Sequence, residues 1–308
     1  MRDADREPLA TIALIAAFAD GFRAPEEVAQ LKTIATEIGG GDYDTIARRV
    51  LSGQSALGDV VARLSDDEAR QKAYELAVSV VYADGVATEQ EKTFLADLRR
   101  SLGLDGGVVA EVDQAGAGLG AAVADPGVAE EPAAPAAPFE DQILQTAMLA
   151  AAVELLPQNL ATMAIVPLQL RMVYRIGQQH GHRLDAAQVK DLAGVFGIGA
   201  AGQVVEGVAR KLLGGLARGI FGRALGGAAG GLTGAAAGVA LTFATTYALG
   251  HAAQQYYAQG RALSRADLQA LFARLKDDAG GIFPRVERQI RDLAGSLDLA
   301  EVMRRVRA

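Results

Sequence analysis

The side chains of this 308-residue chain best suited to chemistry are carboxylates that recur at matched spacing. One run reads Ala19-Asp20-Gly21-Phe22-Arg23-Ala24-Pro25-Glu26-Glu27, and a second reads Ala83-Asp84-Gly85-Val86-Ala87-Thr88-Glu89-Gln90-Glu91. Each places a glutamate seven residues after the aspartate of an Asp-Gly pair. If the two turns converge, Asp20, Glu27, Asp84 and Glu91, with Glu26 or Glu89 beside them, form an oxygen-only donor set. Such a set suits Ca²⁺ or Mg²⁺ better than zinc, because hard cations take several oxygen ligands. The alternating acids and 12-residue loop of an EF-hand are missing. The same residues also have a purely structural reading. Gly21 and Gly85 would sit at the left-handed C′ position that ends a helix. Thr88 and Glu91 would form a capping box, and Pro25 would stand at N1 with Glu27 at N3. Both readings stay open on spacing alone.

Helices must position these turns. An apolar segment precedes each copy (LIAAF and SVVY), and an amphipathic one follows (VAQLKTIATEIG and KTFLADLRRSLG). The unit is therefore helix, Asp-Gly turn, helix, repeated within residues 1–113. Ser65-Asp66-Asp67-Glu68 reads as a capping box with Ser65 at the N-cap, opening a helix whose Ala73, Leu76, Val80 and Val81 share a face and whose edges carry Tyr74 and Tyr82. Residues 1–115 hold 21 acids and 12 Lys/Arg, so this domain is acidic. Residues 114–139 include QAGAGLGAAVADPGVAEEPAAPAAP, with no large apolar periodicity and three closing prolines, and read as a disordered Ala/Gly/Pro linker. Residues 140–308 form a second, Gly/Ala-rich domain. No run alternates like a strand, and the expected fold class is all-α.

The paired Ala-Asp-Gly…Glu turns resemble those of the tellurite-resistance TerB family over roughly residues 8–113, most clearly in LAVSVVYADGVATEQEKTFLADLRRSL (76–102). The resemblance implies an all-helical fold with an acidic cluster linked to divalent-cation binding and to membrane-associated stress systems. By motif, Asp20, Glu27, Asp84 and Glu91 are this chain's cluster, although Pro25 replaces the acid that stands at Glu89 in the second copy.

In the second domain, Pro157 and Pro167 interrupt the apolar stretch 143–170. Residues 224–250 then carry no charge, and positions 226, 230, 234, 238, 242, 246 and 250 are Gly, Gly, Gly, Gly, Thr, Thr and Gly. A small residue every fourth position lets another backbone approach closely. The segment is long enough to span a bilayer, but nine Ala, seven Gly and four Thr make it only mildly apolar. It is either a membrane-associated hairpin or a buried packing helix. No acid lies between Gly207 and Ala266, where six Lys/Arg remain, which suits an anionic membrane surface or an acidic partner. The runs LLPQNLATMAIVPLQLRMVYRIGQQHG and ALTFATTYALGHAAQQYY resemble an uncharacterised helical family often fused to bacterial GTPase domains and predicted to associate with the inner membrane. After Pro284, Val286, Ile290, Leu293, Leu297, Val302 and Val306 predict one last amphipathic helix.

Other chemistries are excluded or left without support. The absence of cysteine removes disulfides, thiolate metal sites and cysteine nucleophiles. Gly197-Ile198-Gly199-Ala200-Ala201-Gly202 has dinucleotide-loop spacing, but no strand is predicted before it and no acid follows about 20 residues on, so no nucleotide is expected. His180 and His182 flank Gly181 in a predicted surface turn, and His251 has no evident partner in sequence. The basic residues are too sparse for nucleic acid. Acids near the start, and Asp20-Gly21 ending the apolar stretch, argue against a signal peptide. The expectation is a non-catalytic cytoplasmic adaptor or stress-response protein, at the inner-membrane face or in an oligomer. It would bind a divalent cation or protein partner through its acidic turns, or self-associate through the stripe. The alternative is a soluble interaction module without metal.

Overall fold

The computed structural model describes residues 2–19, 41–104, 106–127, 139–156, 161, 163–198 and 234–307. Among these the chain is 80% helical with no strand, an all-α fold. It divides into two compact units, the first covering Met1–Gly120 and the second taking up the chain from Ala121.

The described helices of the first unit are α1 (Asp3–Ala17), α2 (Gly41–Leu51), α3 (Leu57–Val61), α4 (Asp67–Val81), α5 (Glu89–Leu102) and α6 (Gly106–Ala124), the last running past the division at Gly120. Its core is aliphatic: Leu9, Ile12 and Leu14 of α1 are buried with Ala73, Leu76 and Val80 of α4, and α1 packs directly on α4. Polar bonds fix the register of that pairing. Asp5, only 2% exposed, accepts from the Ser65 amide at 2.9 Å and the Ser65 hydroxyl at 2.8 Å. Glu7 accepts from Arg49 at 2.7 Å and Arg63 at 2.6 Å. The expected Ser65 cap is thereby corrected. With Ser65 turned to Asp5, Asp66 is the N-cap of α4 and accepts from the Ala69 amide.

Residues 114–124, expected in the linker, belong to α6. Their small side chains serve contact instead. A Cβ on Gly116 would stand 2.4 Å from Val78 Cγ1, and one on Gly120 would stand 2.1 Å from the Gly85 carbonyl oxygen. Real Cβ atoms do not approach so closely, so glycine at both positions is what lets the helix lie there.

The second unit is built from α7 (Phe139–Glu154), α8 (Ile165–Gln179), α9 (Ala186–Val195), α10 (Gly234–Ala258), α11 (Arg265–Ser296) and α12 (Leu299–Arg307). α7, α8 and α11 pack around α10. Ile143, Leu170, Ile176, Phe243, Leu249 and Ile290 are at most 1% exposed, and Phe243 meets the Phe283 ring at 5.8 Å. At Gly238, Thr246 and Gly250 the small-residue stripe meets the unit's own side chains. Gly250 lies so close to Ile143 that an added Cβ would sit 2.7 Å from it, and buried Thr246 receives a 2.8 Å hydrogen bond from the Gln169 amide. The stripe positions 226 and 230 lie outside the described residues. No helix among the described residues is long and apolar enough to cross a membrane.

Of the three prolines expected to shape this half, Pro157 lies outside the described residues, and the other two stand within helices. Pro167 stands in the first turn of α8, where a missing N–H removes no helical bond. Pro284 does not begin a helix but lies inside α11, on its exposed face. The chain breaks at Leu297-Asp298 instead, and Asp298 accepts from the Glu301 amide at 2.7 Å to restart as α12. That short helix docks through buried Val302 and Val306, and the nearly buried Arg171 donates to the Val306 carbonyl at 2.6 Å.

Candidate functional site

Of the four expected cation ligands, Asp20 and Glu27 lie outside the described residues, as do Gly21, Pro25 and Glu26. The second turn is described in full. α4 ends at Val81 with Tyr82 as its C-cap, so Gly85 is not the C′ residue that was expected. It stands further along the turn at φ +143°, a conformation that suits glycine, and its carbonyl abuts Gly120 of α6. The expected capping box is present. Thr88 Oγ1 accepts from the Glu91 amide at 3.3 Å, while Glu91 Oε2 accepts from the Thr88 amide at 2.7 Å and the Thr88 hydroxyl at 2.9 Å. One carboxylate oxygen of Glu91 is thus engaged in starting α5. Ala83 and Ala87 are buried, whereas Asp84 is exposed and Val86 is 67% exposed. The turn is held from beneath by its alanines and by α6, and presents Asp84 and Val86 outward. Among the described residues no three His, Asp or Glu side chains gather as a metal would require.

Beside this turn, α4, α5 and the first half of α6 line an open cleft of about 690 Å³. The Tyr74 hydroxyl donates to Asp113 Oδ1 at 2.7 Å across it. Burial, and then Asp113, push the hydroxyls of Tyr74 and Tyr82 above the ordinary tyrosine range, so both stay protonated donors at neutral pH. Lys92, Arg99 and Arg100 line one wall, and Leu95 and Leu104 supply apolar surface. α5 stops behind them in a left-handed Gly103, with the Leu104 amide donating back to the Arg99 carbonyl. The sequence reading placed Tyr74 and Tyr82 at helix edges but gave no role to Asp113 or Arg99. The Tyr74–Asp113 bond joins residues 39 apart, and no local pattern announces it.

In the second unit the Glu140 carboxylate meets Tyr247, whose hydroxyl donates at 3.2 Å, and lies 3.6 Å from His251 Nε2. His251 therefore has a carboxylate neighbour that its sequence context did not disclose. Burial pushes the His251 imidazole below its ordinary value despite the opposing pull of Glu140, and it pushes Tyr247 up to about 12 with help from Glu140. The imidazole is thus mainly neutral at pH 7. No nucleophile is set beside it among these contacts, and the group closes the packing of α7 on α10. His180 stacks on Phe139 with ring centroids 4.8 Å apart, and His182 Nε2 lies 3.2 Å from the Tyr257 carbonyl.

The nucleotide-like glycine run begins with a helix stop. Gly197 is left-handed after α9, and the Ile198 amide donates to the Ala193 carbonyl, which is the bonding of a Schellman motif. Residues 199–202 lie outside the described residues. Comparison with known proteins finds no matching family model, no matching curated protein and no matching solved structure, so the likeness to the TerB family rests on the motif residues of the chain itself.

Proposed function

We propose that the chain is a non-catalytic binding protein whose TerB-like first unit offers the turn 83–91 to a divalent cation or a protein partner. In this reading the second unit is a helical scaffold that brings it to an assembly or to the inner-membrane surface. One observation carries the proposal. The turn is fixed by the Thr88–Glu91 capping box and the Gly85–Gly120 approach, yet its exposed side chains include an acid, Asp84, and an apolar residue, Val86. Anchored turns that display such groups serve recognition better than core packing. Asp20 and Glu27 would complete a cation site with Asp84 and Glu91. Calorimetric titration of the full chain with Ca²⁺ and with Mg²⁺ tests this half of the proposal. Binding that is lost in Asp84→Ala/Glu91→Gln supports it, and the absence of binding to either ion refutes it.

A second reading is favoured by the capping box itself. Glu91 Oε2 already accepts two bonds from Thr88, and the acids are then helix caps in a metal-free interaction module. Melting temperatures unchanged across EDTA, Mg²⁺ and Ca²⁺ are the expected result of that reading.

A further inference from the structure

The cleft beside the acidic turn has a charge opposite to that of its surroundings. Among its described lining residues Lys92, Arg99 and Arg100 face one acid, Asp113, although residues 1–115 as a whole carry nine more acids than Lys/Arg (21 against 12). Two of the three cations are lightly held. Lys92 pairs with Glu89 at 2.7 Å and Arg100 with Asp97 at 3.1 Å, each within one turn of the same exposed helix, and such pairs exchange readily with solvent or ligand. Arg99 has no ion-pair partner among the described residues. Asp113 is held by the Tyr74 hydroxyl and forms no ion pair with Arg99, so the guanidinium is not neutralised across the cleft. The Tyr82 hydroxyl likewise makes no hydrogen bond among the described residues. Its ring is fixed by α6, since an added Cβ at Gly120 would come within 2.9 Å of it.

We propose that this cleft is a binding site for a small organic anion, a carboxylate or phosphate monoester on a partly apolar body. Arg99 engages the anion through its planar fork, which matches two oxygens of either group. Tyr82 donates a further hydrogen bond, and Lys92 supplies long-range attraction. Leu95 and Leu104 cover the apolar body. The volume of about 690 Å³ lies in the range of small-molecule sites. The inference is independent of any cation at the described acidic turn, since neither Asp84 nor Glu91 lines the cleft.

Phenyl phosphate is a suitable probe, with inorganic phosphate as the control lacking a body and benzyl alcohol as the control lacking charge. Binding to the full chain is followed by amide chemical shifts in two-dimensional NMR. The expected result is saturable binding at about millimolar affinity, with shifts at 82, 92–104 and 113. Arg99→Gln should weaken it about tenfold or more, and Tyr82→Phe by about threefold. Arg100→Gln, which removes a cation already paired to Asp97, should stay within about twofold. Arg99 is exposed, so its replacement leaves the fold intact and the circular dichroism unchanged. The proposal is overturned by no binding up to about 20 mM, by equal affinity in Arg99→Gln, or by equal binding of benzyl alcohol. Tight binding of inorganic phosphate alone refutes the apolar part of the site.

Discussion

Gly120→Ala is the most direct test of how α6 is held. The new Cβ would stand 2.1 Å from the Gly85 carbonyl oxygen and 2.9 Å from Tyr82 Cδ1. The first atom belongs to the backbone of a turn pinned by buried Ala83 and Ala87, so no rotamer change relieves the overlap. Overpacking of this kind costs about 1–3 kcal/mol, and the helix-propensity gain of alanine over glycine returns about 0.5–1 kcal/mol. The net loss should be about 1–2 kcal/mol, which lowers the melting temperature by roughly 3–6 °C per kcal/mol for a unit of this size. Two neighbours give the series its contrast. Gly116→Ala meets a side-chain methyl of Val78 at 2.4 Å, which can move, so the loss should be smaller. Gly107→Ala, in the same helix with nothing within 4 Å, should be stabilising by about 0.5–1 kcal/mol. Urea unfolding followed by circular dichroism measures the three values, and hydrogen exchange in α4 assigns the transition to the first unit. A Gly120→Ala protein as stable as Gly107→Ala would falsify the close approach.

Three further outcomes follow from bonds already described. Arg171→Met keeps the apolar stem but removes the donor to the Val306 carbonyl, and should cost about 1.5–3 kcal/mol. Its hydrogen-exchange increase should be concentrated in α12, and unchanged protection there would sink the docking account. Tyr74→Phe leaves Asp113 without its buried donor and should lose about 1–2 kcal/mol in denaturant titration; a neutral result contradicts it. Asp5 is subject to burial, which raises its carboxyl, but the Ser65 amide and hydroxyl outweigh that and hold it below its ordinary 3.8. Arg63 and Arg49 hold Glu7 below 4.5. Carboxyls depressed in the folded state contribute stability that is full above those ordinary values and is lost as pH falls through the lower folded ones. Acid unfolding should therefore steepen below about pH 4.5, and Asp5→Asn should flatten that slope; an unchanged acid limb in the variant refutes the assignment.

What the sequence disclosed was local. The 3.6-residue periodicity and Ala-rich composition are enough for an all-α fold, and the Thr88–Glu91 box lies within four residues, so its spacing carries its geometry. Ser65 shows how such a signal is overridden. The capping pattern is sound, but Asp5, 60 positions away, takes the serine and shifts the cap to Asp66. Gly116 and Gly120 show a different failure. A segment poor in large side chains reads the same whether it lacks a core or lies against another backbone, and only the approach to Gly85 separates the two. The Tyr74–Asp113 and Glu140–His251 pairs are tertiary, joining residues that no period relates. Asp84 and Glu91 stand out in the sequence by repetition, whereas Arg99 does not, because a lone arginine in an exposed helix is ordinary until the cleft beside it is seen.

The buried hydrogen bond from Gln169 to Thr246 has a consequence for how the second unit chooses its alignment. An Ala/Gly helix such as α10 offers nearly the same smooth surface at many offsets, so dispersion alone discriminates poorly between neighbouring registers. A glutamine amide enclosed in that surface does discriminate. A slide of one helical turn would carry Thr246 out of reach and leave the amide dry and unpaired, at a cost of roughly 1–3 kcal/mol. The pair thus acts as a buried indexing pin along this helix, beside the Tyr247–Glu140 bond nearer its rim. Replacing both residues with apolar ones of similar shape should preserve stability while loosening alignment, and replacing either one alone should harm both.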